Sequence, residues 1–203
     1  MKYGKLIKTI EEIAPTDLAP LWDNSGVQIY TGEKEIEKVL ICLEITEEVI
    51  KEAESKKTGM IITHHPLIFE SIKKIDTNEI PGRYACRLIK SNICVYSAHL
   101  SFDNAGQGNN FYMAKLLGMK NLKTPKKEGL REGAKDPEEL PCVITGELIR
   151  QMSPREAVKH VTKALGLNED IIRMVKGNRM IKKIGLCTGA GGGFLDYAIG
   201  ERC

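Results

Sequence analysis

Residues 39–66 read VLICLEITEEVIKEAESKKTGMIITHHP. Val39 to Leu43 is a continuous apolar run of strand length, which predicts a buried strand. Thr46 then caps a helix whose first turn holds Glu47 and Glu48, where carboxylates favour the positive end of the helix dipole, and whose core face is Val49, Ile50 and Ala53. Gly59 ends that helix, and a second apolar strand, Met60 to Thr63, starts at once. A strand, a one-layer helix and another strand in this space form a parallel pair with a helical crossover. His64 and His65 leave the second strand together, and Pro66 favours a departure from extended chain at that point.

The same alternation extends to either side. Downstream come a helix around Tyr84 to Leu88, the strand Ile93 to Ser97, then His99 and Asp103, and a helix carrying Phe111, Ala114 and Leu117. Upstream, Leu6, Ile7, Ile10 and Ile13 recur at helical spacing until Pro15 closes the helix. Leu21 to Val27 follows as a polar turn holding Trp22, the only tryptophan. In open α/β sheets ligands bind beyond the carboxyl ends of the strands, which is where His64, His65, His99 and Asp103 fall.

Between Lys120 and Pro141 the chain is rich in Lys, Glu, Gly and Pro without an apolar period. We read 121–141 as a surface excursion or hinge between a first lobe, 1–120, and a second, 142–203. Order resumes with a strand over Cys142 to Thr145 and with Ser153-Pro154-Arg155-Glu156, a capping box with proline at the first helical position. Val158, Val161 and Leu165 form the buried stripe of that helix, with His160 beside it as a structural residue. Ile36 to Leu43 and Ile181 to Thr188 are each a charged step followed by an apolar strand with cysteine near its end, which points to a duplicated unit, chance similarity being the alternative. The fold class expected is α/β, with two related lobes each built on a mixed, mainly parallel sheet flanked by helices, the second lobe stopping at Cys203 before its next strand.

Bulk composition narrows the function classes. With 42% hydrophobic and 28% charged residues the chain is that of a folded globular protein, and a formal charge of +3 does not argue for nucleic acid. Arg173, Lys176, Arg179, Lys182 and Lys183 cluster locally, but no aromatic residues are interleaved to stack on bases. Six cysteines without a C-x-x-C pair indicate reduced thiols, no run approaches the ~18 apolar residues of a membrane span, and the amino terminus lacks a secretory core. A cytoplasmic location is expected, with no membrane partner.

Adjacent histidines at a strand end are harder to explain structurally than a lone one. Imidazole nitrogen with carboxylate oxygen suits zinc, iron, manganese or nickel, and a bridging carboxylate such as Asp103 can hold two ions ~3.5–4 Å apart. His99 is a candidate ligand, general acid or, preferably, a residue that supports a ligand from behind. Gly189, Gly191 and Gly192 join a strand to a helix, where exposed amides could hold a phosphate, tight packing of the turn being the alternative.

Trp22-Asp23-Asn24-Ser25-Gly26-Val27-Gln28, Thr63-His64-His65-Pro66-Leu67-Ile68-Phe69, Ser97-Ala98-His99 through Asp103, and Gly189-Ala190-Gly191-Gly192 resemble, in order, the motifs of the Nif-three-like family, whose bacterial and archaeal members go by the name GTP cyclohydrolase type 2 homologues. The resemblance implies two related α/β lobes, a dinuclear centre with two divalent ions per subunit, and a ring-like homohexamer. It makes His64, His65 and Asp103 metal ligands, and His99 and Trp22 supporting or substrate-contacting residues. The family's remaining ligands, a histidine and a glutamate four residues later, have no counterpart before Cys203. Glu44 stands where aspartate is usual, and Leu100-Ser101-Phe102 where Thr-Asn-Leu is usual. Three functions are consistent with this: a metal-dependent hydrolase of a nucleotide or related heterocycle, a non-catalytic metal-binding regulatory or scaffold protein, and an inactive truncated fragment.

Overall fold

The computed structural model describes residues 1–124, 142–175 and 177–203. It divides into two compact units, Met1–Ala105 and Gly106–Cys203. The first unit contains α1 (Tyr3–Ile13), β1 (Gly26–Ile29), β2 (Val39–Cys42), α2 (Glu47–Ser55), β3 (Met60–Thr63), α3 (Gly82–Lys90), β4 (Cys94–Ser97) and the short α4 (Leu100–Asp103). Its sheet runs β1-β4-β3-β2, with β2, β3 and β4 parallel and β1 antiparallel at the edge, a mixed and mainly parallel sheet as expected.

Strand alternation explains why β3 and β4 carry buried side chains on both faces, apolar up to the terminal Thr63 and Ser97. Ile61 and Val95 face α2 and α3, packing on Ile50, Ala53, Tyr84, Ala85 and Leu88. Met60, Cys94 and Tyr96 face the opposite way, toward Tyr3 and Ile10 of α1. A sheet covered on both faces has no polar side to show. The capping of α2 is also as expected, since the Thr46 hydroxyl accepts the N–H of Val49 at 3.3 Å.

One expectation fails on this sheet. The run Val39 to Leu43 is not buried: β2 is an edge strand in this unit, and only Leu40 and Cys42 pack on the core, whereas Ile41 is 77% exposed and Leu43 61% exposed. Continuous apolarity therefore marks a strand without settling whether both of its faces are covered.

Across the helical layer, Arg87 of α3 grips α2. Its Nε and Nη2 reach the two carboxylate oxygens of Glu54 at 2.9 and 2.5 Å, and Nη1 lies 2.5 Å from Glu47. Hydrogen bonds from Arg87 and then Ser91 hold the Glu54 carboxyl down at about 2, against an ordinary 4.5. A depressed carboxylate contributes stability above its unfolded value and loses it as pH falls toward the folded one. The melting temperature is expected to fall more steeply between pH 4.5 and 2 in the wild-type protein than in Arg87→Met. Parallel pH profiles of the two proteins would rule this out.

The second unit contains α5 (Asn109–Leu116), β5 (Lys120–Lys123), β6 (Ile144–Met152), α6 (Pro154–Leu165), β7 (Ile181–Leu186) and α7 (Leu195–Gly200). Its three strands run β5-β6-β7, every pair antiparallel. The expectation of a parallel sheet in the second lobe is thereby corrected for the described residues. The apolar likeness of Ile181–Leu186 to β2 carried no information about partner direction, because burial looks the same in either pairing.

The division also falls earlier than residue 120. Ala114, Leu117 and Met119 pack with Ile144 and Leu186, so α5 belongs to the second core. Of the excursion expected at 121–141, residues 125–141 lie outside the described ones, and Asn121 to Lys123 are strand. The capping box of α6 forms, with the Ser153 hydroxyl accepting from Glu156 N–H and the Glu156 side chain from Ser153 N–H, and Gly166 closes the helix in the left-handed region at φ +66°. His160 hydrogen-bonds the Leu117 carbonyl at 2.8 Å, the structural role expected of it.

Candidate metal centre

The His64-His65 turn is tied to both neighbouring strands. His64 N–H donates to the Cys42 carbonyl at 3.2 Å and His65 N–H to the Leu43 carbonyl at 2.8 Å, while the Ser97 hydroxyl donates to the His64 carbonyl at 2.8 Å. Thr63 closes the bend, its hydroxyl lying 2.9 Å from the Leu43 carbonyl and 3.0 Å from that of His65. Successive side chains on a strand diverge. This bend brings the two rings to 5.2 Å between centroids, and His99 lies 5.2 Å from His64 and 5.9 Å from His65.

Asp103 reaches the group by a device the sequence reading missed. Residues between His99 and Asp103 form the helical turn α4, with the N–H groups of Phe102 and Asp103 both donating to the His99 carbonyl. One turn returns residue 103 to the side of residue 99. Asp103 Oδ1 then lies 3.8 Å from His64 Nε2, with the Asp103 side chain 4% exposed.

The tautomer of His64 gives this pairing its chemical meaning. Its Nδ1 is 2.8 Å from the Ala98 carbonyl, which can only accept, so Nδ1 carries the hydrogen and Nε2 of the neutral ring offers a lone pair. The 3.8 Å from Nε2 to the Asp103 carboxylate is beyond hydrogen-bond range. Two metal–donor bonds of ~2.0–2.1 Å end to end span more than the gap between His64 Nε2 and Asp103 Oδ1, so one ion can reach both. His65 Nδ1 lies 3.8 Å from Glu44 Oε2 in a second, more exposed pair. Among the described residues no group of three or more His, Cys, Asp or Glu side chains could hold an ion, so the donors here come in pairs.

His99 is fixed from behind. Its Nδ1 is 2.6 Å from Oδ1 of Asp23, whose side chain is fully buried. Burial pushes the Asp23 carboxyl up, but hydrogen bonds from His99, the Ser25 hydroxyl and the Leu100 N–H outweigh it and hold it below the usual carboxylate value. The structure thus assembles His64, His65, His99 and Asp103, with Trp22 one residue from Asp23 and 6.4 Å from the Phe69 ring. Asp23 and Phe69 stood in the sequence only as members of the quoted motifs and Glu44 only as a departure from the usual aspartate; none of the three was assigned a site role. Glu44 could have been: Cys42 pairs with Thr63 in the parallel register, so two residues further along each strand Glu44 meets His65.

The glycine loop of the second unit reads as a packed turn. Thr188 N–H already donates to Asn110 at 2.8 Å and Gly191 N–H to the Gly189 carbonyl at 2.9 Å. Gly189 has φ +76°, and a Cβ on Gly191 would come within 2.8 Å of the Cys187 side chain. Two of the amides are therefore engaged, and at Gly189 and Gly191 the turn itself calls for glycine. In the basic cluster, Lys182 donates to the Leu148 carbonyl and Lys183 pairs with Glu201.

A mainly parallel sheet that presents imidazole pairs and carboxylates at its strand ends defines an α/β protein with a candidate metal face. The family model described as Duf34/NIF3 (NGG1p interacting factor 3) matches residues 1–203, and the chain belongs to that family. A relative in Clostridium perfringens named "GTP cyclohydrolase 1 type 2 homolog" is 34% identical over 199 residues, 98% of this chain and 73% of that protein. The crystal structure of a Bacillus cereus protein related to NIF3 superposes with a TM-score of 0.76 at 21% identity, covering 99% of this chain and 80% of that one. Reduced HcgD from Methanocaldococcus jannaschii superposes with a TM-score of 0.69 at 28% identity, covering 94% and 71%. No helix among the described residues is long and apolar enough to cross a membrane.

Proposed function

We propose that the protein binds a divalent cation between His64 and Asp103, with His65 and Glu44 beside it, and acts as a metal-dependent hydrolase on a nucleotide or related heterocycle. The observation that carries this reading is that His64 Nε2, left as the lone-pair nitrogen by the Nδ1 contact to Ala98, lies 3.8 Å from the buried Asp103 carboxylate. A divalent ion held there supplies the Lewis acidity that hydrolysis of such a ring or ester requires. The chain's own residues do the rest: Ala98 fixes the His64 tautomer, Asp23 orients His99 toward the same face, and α4 keeps Asp103 out of bulk water. The name of the Clostridium relative supports GTP as the first substrate to try.

Two side-chain donors with water completing the shell predict labile binding. One ion per chain is expected after loading with Zn²⁺ or Mn²⁺, and dialysis against a chelator is expected to remove it. Two ions surviving dialysis would contradict the paired-donor arrangement. Turnover of GTP with added Mn²⁺ or Zn²⁺, abolished in His65→Ala, tests the hydrolase reading. Metal binding without turnover of GTP or other heterocyclic nucleotides would favour the scaffold reading.

Self-association belongs to the same proposal. Ile41 and Leu43 expose apolar side chains along the β2 edge, a surface that a second copy would cover. A homohexamer of the 22.6 kDa chain has a mass of about 136 kDa by light scattering, and a monodisperse 22.6 kDa species would exclude it.

A further inference from the structure

The geometry points to Trp22 and Phe69 as a preformed stacking site for a planar, unsaturated ring, next to the histidine cluster. The two rings meet edge to face at 6.4 Å and 76°, and Phe69 in turn meets His99 at 6.1 Å and 85°. Both remain about half open to solvent, Trp22 at 49% and Phe69 at 47%. A single exposed aromatic residue is ordinary. What distinguishes these two is how firmly their loops are held.

Asn24 Nδ2 donates to the Ile68 carbonyl at 2.5 Å, and Gln28 Oε1 accepts the Ile68 N–H at 3.0 Å. Gln28 Nε2 also donates to the Asn24 carbonyl at 2.7 Å, so one side chain braces both loops. On its other side Trp22 is anchored through Asp23, which the Ser25 hydroxyl meets at 2.5 Å and His99 at 2.6 Å. Five hydrogen bonds thus fix the residues flanking two rings that bury only half their surface. Rings held in place lose little conformational freedom when a ligand stacks on them, and every flat heterocycle presents a π face. The pair therefore selects for ring planarity and leaves hydrogen-bonding pattern to other groups.

This inference rests on the same face being a ligand site, but it requires neither metal nor turnover, so it can fail or succeed separately from the hydrolase reading. Because Trp22 is the only tryptophan, its fluorescence reports directly on the site. The full chain, with chelator present, is titrated with guanosine 5′-monophosphate and, in parallel, with ribose 5-phosphate, which lacks the ring. Saturable quenching by the nucleotide alone is expected, with affinity lowered about tenfold in Phe69→Ala and retained within about twofold in Phe69→Tyr. Unchanged melting temperatures of the two variants keep the comparison valid, and Gln28→Ala, which loosens both loops without touching the rings, is expected to weaken binding about fivefold. No saturable quenching at millimolar nucleotide, equal quenching by ribose 5-phosphate, or unaltered affinity in Phe69→Ala would overturn the proposal. A change of oligomeric mass in Phe69→Ala with unaltered nucleotide affinity would instead make the pair a contact between copies.

Discussion

Replacing His64 with alanine is expected to lower Zn²⁺ or Mn²⁺ affinity by at least about 100-fold and to remove any metal-dependent turnover with it. The expectation follows from the hydrogen bond of Nδ1 to the Ala98 carbonyl, which leaves Nε2, 3.8 Å from Asp103, as the donor to a metal. Losing the ring leaves Asp103 to hold a cation alone. Asp103→Asn preserves shape and removes the charge, and a comparable loss is expected from it, since a neutral amide is a poor ligand for these ions. His160→Ala is the control, because His160 hydrogen-bonds the Leu117 carbonyl within the second unit. Isothermal titration with each ion measures all three variants. Equal affinities in wild type and His64→Ala would remove the histidine from the site.

Leu88→Ala is expected to cost about 2–5 kcal/mol, the largest stability loss of any single change considered. Leu88 is fully buried on α3 and packs with Ile50, Ile61 and Val95, the layer that fixes β3 and β4 relative to each other. At about 2–4 °C per kcal/mol for a chain of this size, the melting temperature would fall by roughly 4–20 °C. His64 and Ser97 hang from the ends of those strands, so metal affinity is expected to fall together with stability in Leu88→Ala but alone in His64→Ala. Chemical denaturation of both variants distinguishes the two effects. A Leu88→Ala midpoint within error of wild type would mean that this core is not what holds the strand ends in place.

Much of the first unit is legible in the sequence because its signals are local. A cap at Thr46, a helix stop at Gly59 and short apolar strands define strand, helix and strand, and the strand-end rule then gathers His64, His65, His99 and Asp103 on one rim. Features set by partners are not local. Whether Ile41 is covered depends on β2 lying at a sheet edge, and whether the strand at Ile181 runs parallel depends on β6, whose pairing leaves no mark on its own residues. The α4 turn was missed because Leu100 to Asp103 is too short to show a helical period, and its effect, turning Asp103 back beneath His99, shows only in three dimensions. Asp23 was hidden for a similar reason, since its partner His99 lies 76 residues away.

The most direct test of a cation between His64 and Asp103 is anomalous diffraction from crystals grown with Zn²⁺ or Mn²⁺. We predict a peak within bonding distance, ~2.0–2.2 Å, of both His64 Nε2 and an Asp103 carboxylate oxygen. A fully loaded crystal whose only peaks lie away from these two side chains would contradict it.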